Sequence, residues 1–220
     1  MQLGLAVHNY HSTFGCFPPA YVADESGRPM HSWRILITPF LEQAELYNSY
    51  NFREPWDGPN NRTLLAKRPS QFVFHGDASN GGTFTNYLAV VGPETAWPGA
   101  NCVNIKDIRD GTSLTILVVE NEGSQIHWTE PRDLDFTRFD EMMRDPVRAG
   151  ISSKYAPPGA LMADGSARRI PVRPNPETLR AFFTIAGGEK VDEVDFYEMA
   201  DGRLRPKRSG NRLQGTGYSR

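Results

Sequence analysis

The sequence predicts an α+β fold: an N-terminal helix laid on a mostly antiparallel sheet, in one loop-rich domain. Three observations carry this expectation. Apolar residues recur at helical spacing through the first third of the 220-residue chain. From residue 71 the period falls towards two and β-branched residues gather. Turn formers are abundant, with 20 glycines and 17 prolines, while aromatics reach 11% and supply large rings to anchor the loops. That mixture excludes a coiled coil, a repeat array and a disordered chain.

The elements follow in order. Leu3, Ala6, Val7, Tyr10 and Phe14 form the stripe of an amphipathic helix, which Gly15 stops and Pro18 and Pro19 keep from resuming. A second stripe runs through Trp33, Leu36, Ile37, Phe40, Leu41, Ala44 and Tyr47, capped by Ser32. Pro39 lies inside it and predicts a kink or a break into pieces. The turn-rich segment 54–61 leads to a short helix near residues 62–66. Residues 71–74, 86–91, 113–120 and 160–163 read as strands. Asp110-Gly111 and Asp164-Gly165 are turn dipeptides, the second closing a hairpin. Residues 136–143 form one helix. Asn175-Pro176-Glu177 is the N-cap and N1-proline signature of a last helix, expected to run to Gly187-Gly188.

Charge and cysteine content bound the function. Net charge is −2, which gives no general affinity for nucleic acid. The balance is uneven: residues 201–220 hold six basic residues and one acid, leaving −7 on residues 1–200. The domain is therefore expected to span 1–200, with 201–220 a basic, disordered tail. Cys16 and Cys102 form no CxxC or Cys/His ladder, which excludes a zinc ribbon or iron–sulfur site and leaves a disulfide between them open. The longest apolar runs, near 35–41 and 114–119, fall far short of the roughly 18 residues that span a bilayer. Nothing at the start has the pattern of an export signal, so the sequence as it stands is expected to carry neither signal nor anchor.

No nucleophile elbow, HExxH, phosphate loop or GxGxxG occurs, and the expectation is no enzyme, no cofactor and no metal. Other constellations carry weaker signals. His8 and His11 sit three apart on the first helix, but no carboxylate or Cys lies within a turn to complete a metal site. His75 and Asp77 share a loop without an orienting partner. Asp110-Gly111-Thr112-Ser113 and Asp164-Gly165-Ser166 place hydroxyls beside carboxylates, as tight turns also demand. Asp133, Asp135, Asp140 and Glu141 offer hard oxygens for calcium, without the ordered spacing and glycine turn of a calcium loop. Trp56, Trp97 and Trp128 each stand in a Pro- or Gly-bearing turn, where a ring can stack a sugar, anchor a partner or plug a loop onto the core.

Residues 3–21 (LGLAVHNYHSTFGCFPPAY) and 31–61, followed in register by 85–99 (TNYLAVVGPETAWPG), 110–120, 127–136, 163–170 and 178–189, resemble a large bacterial family of prepilin-like proteins. The core of that family is a domain of unknown function, also catalogued as a bacterial solute-binding domain of family ten. The resemblance implies a type IV pilin- or type II secretion pseudopilin-like plan, with residues 1–15 the remnant of a stem helix whose anchoring half is missing. It implies a non-enzymatic structural or assembly subunit of the cell envelope, partnered by other pilin-like subunits or the secretion machinery. Membrane contact would come only through that missing stem. The alternative is an envelope module that binds a polysaccharide or other solute through Trp56, Trp97 and Trp128. One departure stands at residues 72–78 (FVFHGDA), where the family commonly carries Cys-Pro-Ser. A disulfide made by that cysteine is therefore lost, and Cys16 and Cys102 need not inherit it.

Overall fold

A computed structural model describes residues 2–74, 82–147, 150–155, 157–171 and 173–191, together with the strand pairing of 197–200 and 203–206. Helix α1 (Gln2–Phe14) ends, as its sequence predicts, on Gly15 at φ +80°. A small hairpin follows, β1 (Tyr21–Ala23) and β2 (Pro29–Ser32), in the stretch between the two apolar stripes where no element was expected. Ser32 caps α2 (Trp33–Leu36) by accepting from the Arg34 N–H. The second apolar stripe then breaks into pieces at Pro39: a 3₁₀ turn (Thr38–Leu41) and α3 (Ala44–Ser49), joined through Glu42 at φ 61°. A proline cannot donate the interior helix bond, so the stripe survives while the helix does not. The short helix expected near 62–66 is a 3₁₀ segment, Asn61–Lys67.

Among the described residues seven strands form the main sheet, in the order β5-β3-β4-β6-β7-β8-β9. They are β3 (Tyr87–Val91), β4 (Ile116–Glu120), β5 (Leu134–Asp135), β6 (Gly159–Met162), β7 (Ala167–Arg169), β8 (Tyr197–Ala200) and β9 (Arg203–Pro206). Among the described strand pairs only β3–β5 is parallel, which gives the predicted α+β class with a mostly antiparallel sheet. Residues 71–74 are not a strand. Phe72 closes a 3₁₀ turn on the Pro69 carbonyl, and its own carbonyl accepts from the Asn86 N–H and the Thr85 hydroxyl. The strand expected from 113 begins at Ile116, because the Gly111 carbonyl takes Leu114 N–H and the Thr115 hydroxyl into a turn.

Residues 136–143 split into a 3₁₀ turn (Phe136–Arg138) and α4 (Phe139–Arg144). Helix α5 (Pro176–Ala181) starts as predicted, with Asn175 accepting from the Glu177 and Thr178 N–H groups, but it ends well before Gly187. Gly187 and Gly188 form a separate turn, whose N–H groups donate to Asp110 at 2.7 and 2.9 Å. The tail expected to be disordered from residue 201 includes Arg203–Pro206, which pair with β8 as a strand. Residues 201, 202 and 207–220 lie outside the described residues.

The central strands bury both faces. Along β6, Leu161 joins Ala163 on the α1 side, while Ala160 and Met162 join the cluster beneath α4 and α5. β3 alternates likewise, Ala89 one way and Leu88 and Val90 the other. That two-sided burial explains why β3 and β4 read as nearly unbroken apolar runs rather than as alternating ones.

Candidate functional site

The joint between α1 and the sheet is built from small residues and turns. Leu3, Gly4, Ala6 and Val7 face inward and are buried. A side chain at Gly4 would come within 2.8 Å of Leu161 Cδ1 and 3.2 Å of the Gly165 carbonyl, so α1 lies directly on the β6–β7 hairpin. That hairpin turns at Asp164-Gly165 as predicted, with Gly165 at φ +83° and Asp164 accepting from the Ser166 N–H and hydroxyl. At the far end of α1, Cys16 and Cys102 form a disulfide across 86 residues of sequence. Hydrogen bonds from Phe17 N to Val103 O (2.8 Å) and Ala20 N to Gly99 O (2.9 Å) continue the seam.

His8 and His11 belong to this joint. Both rings pack on Phe17, with centroids 5.6 and 4.9 Å away. His11 Nε2 accepts the Ile105 N–H at 3.1 Å, and burial, followed by the charge of His8, holds its pKa below the ordinary value. The lone pair that a metal would use is thus occupied by a backbone donor.

Behind the joint stands a column of rings: Trp97 beside Trp33 (5.1 Å), Trp33 edge-on to Phe72 (6.2 Å), and Phe72 stacked on Trp128 (5.9 Å). Trp97 and Trp128 are wholly buried, and their indole N–H groups donate to the carbonyls of Leu117 (2.7 Å) and Leu65 (3.0 Å). For these two the sequence left open whether the ring stacks a sugar, anchors a partner or plugs its loop. Each plugs its loop onto the core, because a buried indole that finds a carbonyl loses nothing by leaving water. Trp56 alone of the three is only half-buried, with its ring 5.6 Å from His127, which in turn lies 4.7 Å from Phe84.

A charged group that sequence reasoning missed closes the column. Arg34 is fully buried and pairs with Asp133, whose side chain is 2% exposed. The guanidinium also donates to the Tyr87 carbonyl at 3.0 and 3.2 Å and to Ser32 Oγ at 2.9 Å. Asp133 further accepts from the Ala89 N–H at 2.8 Å and the Trp33 indole at 3.4 Å. Burial drives both groups towards their neutral forms, raising the carboxyl and lowering the guanidinium, and each opposite charge pulls its partner back. The pair ties α2, β3 and the approach to β5 together. Its sequence signal was a cation inside an apolar stripe, Trp33-Arg34-Ile35-Leu36, but the partner 99 residues away leaves none.

The remaining candidates are dispersed. Asp133 is spent on Arg34, Asp135 caps Thr137 (2.9 Å), Glu141 pairs with Arg138, and Asp140 is exposed, so the four acids do not converge as a calcium set. Among the described residues no group of three or more His, Cys, Asp or Glu side chains is placed to hold a metal ion. His75 and Asp77 lie outside the described residues. No helix among the described residues is long and apolar enough to cross a membrane.

Residues 1–85 match the model of a family described as SBP_bac_10, protein of unknown function (DUF1559). That segment holds α1, the disulfide's first cysteine, Trp33 and Arg34. No curated protein and no solved structure matches the chain.

Proposed function

We propose that this chain is the head of a non-enzymatic assembly subunit of the bacterial cell envelope, with a pilin- or pseudopilin-like plan. The observation that carries the proposal is the double fastening of α1, seated at Gly4 on the β6–β7 turn and bonded at its other end through Cys16–Cys102. A helix that passes load from a stem to a head must not peel from the sheet, and a covalent bond at the end farthest from the stem prevents that. Disulfides persist in oxidising compartments, which suits the envelope. The residues with chemical potential, His11, Asp110 and Asp164, are engaged in fastening backbone turns. The alternative of a polysaccharide module retains only Trp56 at the surface.

Photo-crosslinking in the native host tests this. Leu5 is 63% exposed on the outer face of α1, so a crosslinker there should join the chain to helix-bearing partners in the envelope fraction. Cys16 and Cys102 should resist maleimide until a reductant is added. A chain found in the cytosol with both thiols reactive, and no adduct at Leu5, would overturn the proposal.

A further inference from the structure

The face of the sheet away from α1 carries a cleft of about 270 Å³ between α4, α5 and the loop after β4. Its walls are apolar: Phe139, Met142, Met143, Val147 and Leu179, with prolines between them. The two serines in the wall are already engaged. Ser152 Oγ accepts from the Glu122 N–H at 3.2 Å, and Ser153 Oγ accepts from the Tyr155 N–H at 3.1 Å. Glu122 is different. It is the one charged lining residue, it is exposed at the mouth, and its carboxylate has no hydrogen bond or ion pair among the described residues.

We propose that this cleft binds a short amphiphile with an apolar body and a cationic head, the body filling the cleft and the head pairing with Glu122. Size and charge select that class. An apolar cavity of about 150 Å³ admits benzene, so this one takes a body of roughly eight to ten carbons. A sterol is too large, and a sugar would strand most of its hydroxyls against a wall that is mainly apolar. Methionine side chains adjust to irregular apolar shapes, so Met142 and Met143 suit a flexible chain as well as a ring. A carboxylate head would meet Glu122 as a like charge. The site lies on the opposite face from the α1 joint, and the proposal stands whether or not the chain is an assembly subunit.

The test uses the full 220-residue chain with its methionine methyl groups ¹³C-labelled. It is titrated with n-octylamine, octan-1-ol and octanoate below their aggregation limits. Saturable shifts should appear at Met142 and Met143, with the amine tighter than the alcohol by about twofold to fivefold, the range of an exposed ion pair. Octanoate should be weakest. Glu122→Gln should bring the amine to the affinity of the alcohol without changing the alcohol. Met143→Trp should fill the cleft and weaken all three, and Val147→Trp, at a residue 46% exposed, serves if that variant melts early. The proposal falls if no shift saturates, if octanoate equals the amine, or if Glu122→Gln leaves the preference intact. It also falls if the chain forms a concentration-dependent dimer that Met143→Trp abolishes, since a second copy would then be the occupant.

Discussion

On the α1 side of the sheet, Leu3, Ala6 and Val7 share one buried cluster with Trp33, Trp97 and Leu117, a disulfide closes the end of α1, and a buried ion pair ties α2 to β3. On the other side, α4 and α5 cover Leu88, Val90 and Met162 with six residues each, and a cleft stays open between them. The same strands supply both faces, so strand composition is not the cause. The difference lies in what is laid on top. A thirteen-residue helix, seated on a glycine and bonded at its end, seals its face. Two six-residue helices are too short to hold themselves and cannot cover a seven-stranded sheet. The molecule thus has one sealed face and one face that keeps an open cleft.

The largest expected effect tests the sealed face. Arg34→Met should cost about 4 kcal/mol, because it leaves the Asp133 carboxylate buried without its partner. Arg34→Met combined with Asp133→Leu should recover most of that loss in urea unfolding, since a well-packed apolar pair carries no desolvation cost. A double variant no better than the single one would mean that the Asp133 bonds to Ala89 and Trp33 matter more than the charge pair.

Removing the disulfide comes next. Cys16→Ala with Cys102→Ala should cost about 3 kcal/mol, the middle of the usual range for a disulfide, as the unfolded chain regains freedom that the crosslink removed. Amide exchange should then rise along α1 and at Val103 while α5 is unchanged. Uniform loosening of both faces would contradict the division between them.

A matched pair of truncations measures the packing difference itself. Leu117→Ala, in the sealed cluster, should cost about 3 kcal/mol, and Leu179→Ala, in the wall of the cleft, about 2 kcal/mol. The second hole merges with space already open to solvent, whereas the first leaves a void. Equal losses in urea unfolding would show that the cleft closes in solution.

Much of the fold was legible in the sequence, for reasons that differ by element. α1, the Asp164-Gly165 hairpin and the start of α5 were legible because a stripe, a turn dipeptide or a cap lies within a few residues of the element it specifies. The turn at 71–74 misled because Phe72 and Phe74 alternate like a strand, while the local backbone obeys Pro69. β5 was invisible: two residues in parallel register with β3 have no period to detect. The tryptophans were ambiguous by nature, since a Pro-Trp or Trp-Pro-Gly turn looks the same whether its ring faces water or the core. Asp133 stands among acids whose sequence offers hard oxygens for calcium, yet it pairs with Arg34, which only the tertiary fold brings to it.

The smallest effect distinguishes the faces by pH. His31 is 3% exposed, with Nδ1 3.0 Å from the Tyr50 hydroxyl and Nε2 3.2 Å from the Phe52 carbonyl. The carbonyl can only accept, so Nε2 carries the proton and Nδ1 accepts from Tyr50. Burial lowers the His31 pKa from 6.5, against a smaller opposing pull from that carbonyl, and burial also keeps the Tyr50 phenol protonated by raising its own pKa. Because the folded value is the lower one, the unfolded chain takes up a proton that the folded chain refuses once pH drops below about 6.5. Stability should therefore fall between pH 7.5 and 5.5, before most carboxylates titrate, and His11, whose pKa burial and then the charge of His8 hold down, adds to the fall. Melting curves of His31→Gln against the parent cancel the groups the two chains share. The difference between them should narrow on acidification, as the parent loses what the variant never had. A gap that widens towards pH 5.5 would mean that His31 is held charged in the fold, and that its ring supports the sealed face as a cation.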